Sequence, residues 1–78
     1  MLGGQGVYIM ERQPVSSTSI RSVGYATDKK ILEVEFQSGE IYAYFDVPQE
    51  VYVDLMHAES HGQYFLQNIR DHFQYEHR

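Results

Sequence analysis

The sequence predicts a small α+β domain: a three-stranded antiparallel meander followed by two helices packed on one face, in the order β-β-β-α-α. Three observations carry this expectation. Leu32, Val34 and Phe36 alternate with Glu33 and Glu35, the period of a strand with one buried side. Ser38-Gly39, Tyr42-Ala43-Tyr44 and Asp46-Val47-Pro48 follow as turn, strand and helix start, so a hairpin feeds directly into a helix. Val47, Val51, Leu55 and Ala58 then recur at helical spacing, with Tyr52 and Met56 beside them.

Residues 1–9 are expected to be a flexible extension, because Gly3, Gly4 and Gly6 leave the backbone free. A single domain then covers 10–75, opening with the polar connector Pro14 to Ser19. The first strand is Ile20 to Ala26, the turn Thr27 to Lys30, the second strand Ile31 to Gln37, and the third Ile41 to about Phe45. Loop length between the last two decides where the tyrosines point. A two-residue loop pairs Phe36 with Ile41 and turns Tyr42 and Tyr44 outward beside Glu33 and Glu35. A three-residue loop, with Gly39 left-handed in a bulge, pairs Val34 with Tyr42 and turns both rings toward the core. Gly at the last loop position favours the bulged form, and Ser-Gly is a weak match to the two-residue turns. We therefore expect buried tyrosines.

Asp46 and Gln49 form a capping box for the first helix, with Pro48 tolerated in its first turn. Ser60 and Gln63 form a second box, so the helix should break near Glu59. The second helix carries Tyr64, Phe65, Ile69, His72 and Phe73 on one side, and residues 76–78 are expected to fray.

At 78 residues, one domain is the limit. Only about 60% of the unfolded surface of a chain this short is buried on folding. With no cysteine, aliphatic and aromatic side chains must build the core alone. Eleven carboxylates face six Lys and Arg, for a net charge of −5, which weighs against tight non-specific nucleic-acid binding. The segment 1–10 has neither a basic flank nor the roughly 18 apolar residues of a membrane span, so the expectation is a cytoplasmic protein with no membrane partner.

Catalytic motifs are missing. His57 and His61 stand four apart, but the cap at Ser60 separates them and no third ligand follows at regular spacing, so no metal site is expected. Glu33 and Glu35 lie roughly 7 Å apart along a strand, yet a paired-carboxylate mechanism needs a walled cleft, and they read as solvated outer-face residues. Neither a phosphate-binding glycine loop nor a Ser/His/Asp set occurs, and no catalytic residue or cofactor is expected. The remaining candidates are surface contacts: Tyr42, Tyr44, Tyr25, Arg21 and Arg70. Ring faces on a sheet stack bases, and Arg70 can pair with Asp71, Glu59 or a partner phosphate. If the tyrosines are buried, Arg21, Lys29 and Lys30 are what remains.

Arg12-Gln-Pro-Val-Ser-Ser17, Ile20, Val23-Gly-Tyr25, Leu32-x-Val-x-Phe36, Ser38-Gly39, Tyr42-x-Tyr44, Val47-Pro48, Tyr52, Ser60-x-Gly62-x-Tyr64-Phe65 and Ile69-Arg70, in that order, resemble the KTSC domain. This family is named for its occurrence at the C-terminus of some lysyl-tRNA synthetases, and it also occurs as a free-standing small protein. The resemblance covers about residues 10–75 and places the family's central Tyr-x-Tyr at Tyr42 and Tyr44. It implies a non-catalytic binding module acting on RNA or on a protein of the translation machinery, and it carries over no catalytic residue. The alternative is a protein–protein adaptor or homodimer, joined through an edge strand or an apolar patch of Ile31, Ile41, Ala43 and Phe45 on the uncovered sheet face.

Overall fold

Alternating side chains and one left-handed glycine set the central hairpin. In the computed structural model, which describes residues 11–78, Phe36 N–H donates to the Glu40 carbonyl at 2.9 Å and Gly39 N–H to the Phe36 carbonyl at 2.9 Å. Gly39 has φ +97°, which a side-chain-bearing residue adopts only with strain. This is the three-residue bulged loop, and it pairs Val34 with Tyr42 and Leu32 with Tyr44. Residues 1–9, expected to be a flexible extension, lie outside the described residues.

The elements are β1 (Gln13–Pro14), β2 (Ile20–Ala26), β3 (Ile31–Phe36), β4 (Ile41–Tyr44), α1 (Gln49–His57), α2 (His61–Asn68) and β5 (Tyr75–His77). The sheet has five strands in the order β1-β2-β3-β4-β5, each pair antiparallel, so the expected three-stranded meander is extended by one strand on each edge. Both additions are too short to show a period. β1 contains Pro14, which lacks an N–H and is confined to sheet edges. β5 occupies the segment expected to fray, and the Arg78 N–H donates to the Ile41 carbonyl at 2.8 Å.

The two helices roof the Leu32/Val34 side, as expected. Ile20, Val23, Leu32, Val34, Tyr44, Val47, Leu55, Phe65 and Ile69 form the buried core between the layers. The first cap differs from the expectation. Asp46 sits at φ +58°, in the left-handed region where short polar side chains are tolerated, and Pro48 is the N-cap without a side-chain bond. The chain is turned there by the Val47 N–H donating to the Lys30 carbonyl at 3.0 Å. The second cap forms as expected, with Ser60 Oγ accepting from the Gln63 N–H at 3.2 Å. Gly62, in the first turn of α2, lets that helix approach the connector: a Cβ there would lie 2.5 Å from Ser19 Oγ.

The other sheet face corrects a second expectation. Glu33 is not solvated but 6% exposed. Its cross-strand neighbours are Gly24 and Ala43, both small, so side chains from the edge strands can reach across them. Arg12 Nη1 lies 2.6 Å from Glu33 Oε1 and Arg78 Nη1 3.8 Å from Glu33 Oε2. Glu35 is half-buried and accepts from Ser22 Oγ at 2.8 Å. A bulge between Ile20 and Ser22 brings Arg21 Nη1 to 3.6 Å from Glu35 Oε2. The centre of this face is therefore an ionic network; Ile31, Ile41 and Phe45 are half-buried around it and Ala43 is fully buried.

Candidate functional site

Because β4 pairs in the bulged register, Tyr42 and Tyr44 project on the helical side, where α2 and β5 meet them. Tyr44 is 4% exposed, while Tyr42 is half-buried. Phe65 of α2 packs edge-on against both Tyr44 and Phe36, at ring-centroid distances of 5.5 and 5.3 Å. β5 supplies the rest: its alternation puts Tyr75 and His77 on the tyrosine side, with Tyr75 5.6 Å from Tyr42 and 5.7 Å from Tyr44. His77 stacks on Tyr42 at 4.6 Å and 17°. Six aromatic rings thus form one continuous cluster.

Beside it opens a cleft of about 450 Å³, lined by Phe36, Glu40, Tyr42, Tyr44, Phe65, Leu66, Arg70, Asp71 and Tyr75. Its floor is aromatic and its mouth carries Glu40, Arg70 and Asp71, all exposed. Arg70 is held in place through its backbone, whose N–H donates to the Phe65 carbonyl at 3.0 Å just past the end of α2. Among the described residues its guanidinium makes no ion pair, so the expected pairing with Asp71 or Glu59 is not formed.

Burial pushes the Tyr44 phenol up to about 12, with Tyr42 and Tyr75 adding to the rise. The folded state thus favours the neutral phenol. Its contribution is fully present below the ordinary tyrosine value near 10 and disappears as pH rises through about 12. Alkaline titration followed by circular dichroism should show a loss of about 2–3 kcal/mol across that window. Tyr44→Phe should lack that component, and identical alkaline profiles for the two proteins would contradict the assignment.

The cleft gathers Tyr42, Tyr44 and Arg70 from the sequence candidates. It does not gather Tyr25 or Arg21. Tyr25 stacks on Tyr52 at 5.0 Å and 10°, and its hydroxyl donates to the Val47 carbonyl, which fixes α1 to the sheet. Arg21 lies over the opposite face, engaged with Glu35 and with the Gln37 carbonyl at 3.1 Å. Sequence reasoning missed Tyr75 and His77, because a three-residue strand is too short to show a period and reads as a fraying end. The histidines considered for metal engage backbone carbonyls, His57 Nδ1 with Val53 at 2.9 Å and His61 Nδ1 with Leu55 at 2.8 Å. Among the described residues, no three His, Cys, Asp or Glu side chains gather as a metal site. Also among these residues, no helix is long and apolar enough to cross a membrane.

Comparison with known proteins places this architecture. A crystal structure of a KTSC domain protein from Yersinia pestis superposes with a TM-score of 0.87 at 37% identity, covering 90% of this chain and 99% of that one. An uncharacterised protein of Stutzerimonas stutzeri is 45% identical over 67 residues, 85% of this chain and 94% of its own length. A lysine–tRNA ligase of a Nostoc species is 44% identical over 57 residues; these are 73% of this chain but 10% of the ligase. The KTSC domain pattern itself matches residues 16–73, from the connector before β2 to the segment that leads into β5. The three central strands, the roofing helices and every cleft residue except Tyr75 fall within that match, and the chain belongs to the KTSC domain family.

Proposed function

We propose that this chain is a non-catalytic recognition module of the cytoplasmic translation machinery, which holds an RNA or protein component in the aromatic cleft. The observation that carries this reading is where apolar surface is left uncovered. Leu66 and Tyr75, 52% and 58% exposed, are two of the three large hydrophobic side chains exposed among the described residues, and both line the cleft. Exposed apolar side chains gathered at one concavity mark a contact surface better than scattered ones do. The translation setting rests on the lysine–tRNA ligases that contain a similar segment. A module appended to a large enzyme needs only modest affinity, since linkage raises its local concentration.

Co-sedimentation with ribosomes and electrophoretic shifts of tRNA at low salt test the reading. The chain should associate with at least one of these components, and Leu66→Ala/Tyr75→Ala should weaken that association at least about tenfold. The double variant should remain folded by far-UV circular dichroism, because neither side chain belongs to the buried core. Association that is absent, or indifferent to this double substitution, would remove the proposal.

A further inference from the structure

We infer that the occupant of the cleft is a basic side chain, arginine or lysine, presented by a protein partner. The inference rests on the cleft being the contact surface and goes on to name the chemistry it receives.

Ring geometry is the first argument. Tyr42, Tyr44 and Tyr75 stand 5.6, 5.7 and 6.5 Å apart, separations at which rings already touch one another. No gap is left between them for a planar base, and one face of Tyr42 is already taken by His77. What remains is the open ring of Tyr75 and the edge of the cluster. A cation needs no slot: it is held by the negative face of a single ring within about 6 Å of its centre.

Charge is the second argument. Three of the six Lys and Arg, namely Arg12, Arg21 and Arg78, are paired with Glu33, Glu35 and Glu76 on the opposite face of the sheet. The net charge of −5 therefore falls on the rest of the molecule. From Gln49 to Gln74, the stretch that roofs the sheet, Glu50, Asp54, Glu59 and Asp71 face Arg70 alone. At the mouth itself, Glu40 and Asp71 outnumber Arg70. A phosphate backbone approaching this side meets net repulsion, while a guanidinium or ammonium meets two carboxylates and an aromatic floor.

Arg70 makes the inference decisive, because its removal acts with opposite sign on the two ligand classes. Heteronuclear NMR titration of the intact chain with a glycine–arginine repeat hexapeptide, with a glycine–glutamine repeat control and with octauridylate, reads both. The arginine peptide should shift the Tyr42, Tyr44 and Tyr75 resonances, and the glutamine peptide should not. Glu40→Gln/Asp71→Asn should weaken the arginine peptide about five- to tenfold, and Arg70→Ala should tighten it by about threefold. All three positions are exposed, so the variants retain the fold, which the unperturbed core resonances check. Arginine peptide that leaves the three tyrosines unmoved, or octauridylate that binds more tightly and is weakened by Arg70→Ala, overturns the inference. If ribosome or tRNA association survives while the peptide fails, only the partner chemistry is wrong. If the peptide binds and no translation component does, only the setting is wrong.

Discussion

Phe65→Ala should cost about 3–5 kcal/mol. A 78-residue domain has a total stability of roughly 4–12 kcal/mol, so the variant should lose a large share of its margin against unfolding. The size of the effect follows from what the ring joins. Phe65 is buried, meets Phe36 of β3 at 5.3 Å and Tyr44 of β4 at 5.5 Å, and is the large aromatic by which α2 is keyed into the sheet. No disulfide backs up that contact. Truncation leaves a cavity under the cleft floor, and the aromatic neighbours cannot collapse into it without giving up their own edge contacts. Phe65→Leu retains most of the volume and should lose less than half as much. Urea denaturation followed by far-UV circular dichroism compares the two. A loss below about 1 kcal/mol for the alanine variant would mean that α2 is held mainly by other contacts.

The same contact shows which parts of the structure were legible in the sequence. Leu32, Val34 and Phe36 could be placed because strand periodicity is local, and Gly39 resolved the hairpin register because one turn type needs a left-handed residue. Two of these local signals therefore put Tyr42 and Tyr44 on the helical side. The Ser60 cap was legible for the same reason. Asp46 was misread because its side chain type suits both an N-cap and a left-handed turn, and the Val47 to Lys30 hydrogen bond that selects the turn spans many residues. The edge strands were not legible at all. A two-residue β1 and a three-residue β5 carry no period of their own and exist through pairing to partners far away in the chain. Missing β5 meant missing Tyr75, which lines the cleft, and His77, which stacks on Tyr42. It also meant reading Glu33 as solvated, since the arginines that cover it flank those two strands.

Glu33→Ala is the second large effect, expected at about 2–3 kcal/mol, somewhat below the range for breaking a fully buried ion pair because both arginines remain partly exposed. One carboxylate holds both edges of the sheet: its Oε1 is 2.6 Å from Arg12, just before β1, and its Oε2 is 3.8 Å from Arg78, just after β5. Gly24 and Ala43 flank it and offer no side chain that could replace the lost contacts. Removal leaves two guanidiniums lying over the sheet without their common counter-charge, and each is then better solvated away from it. The loss should therefore be concentrated at the edges. Amide exchange at Arg78, whose N–H donates to the Ile41 carbonyl at 2.8 Å, should accelerate well beyond that of Val34 in the central strand. Glu33→Gln keeps an acceptor of the same shape and should fall between the two. Release of β5 would also withdraw Tyr75 and His77 from Tyr42, so the variant couples the opposite face of the sheet to the cleft. Uniform acceleration across all strands would instead make Glu33 an ordinary contributor to global stability, with no special hold on the edges.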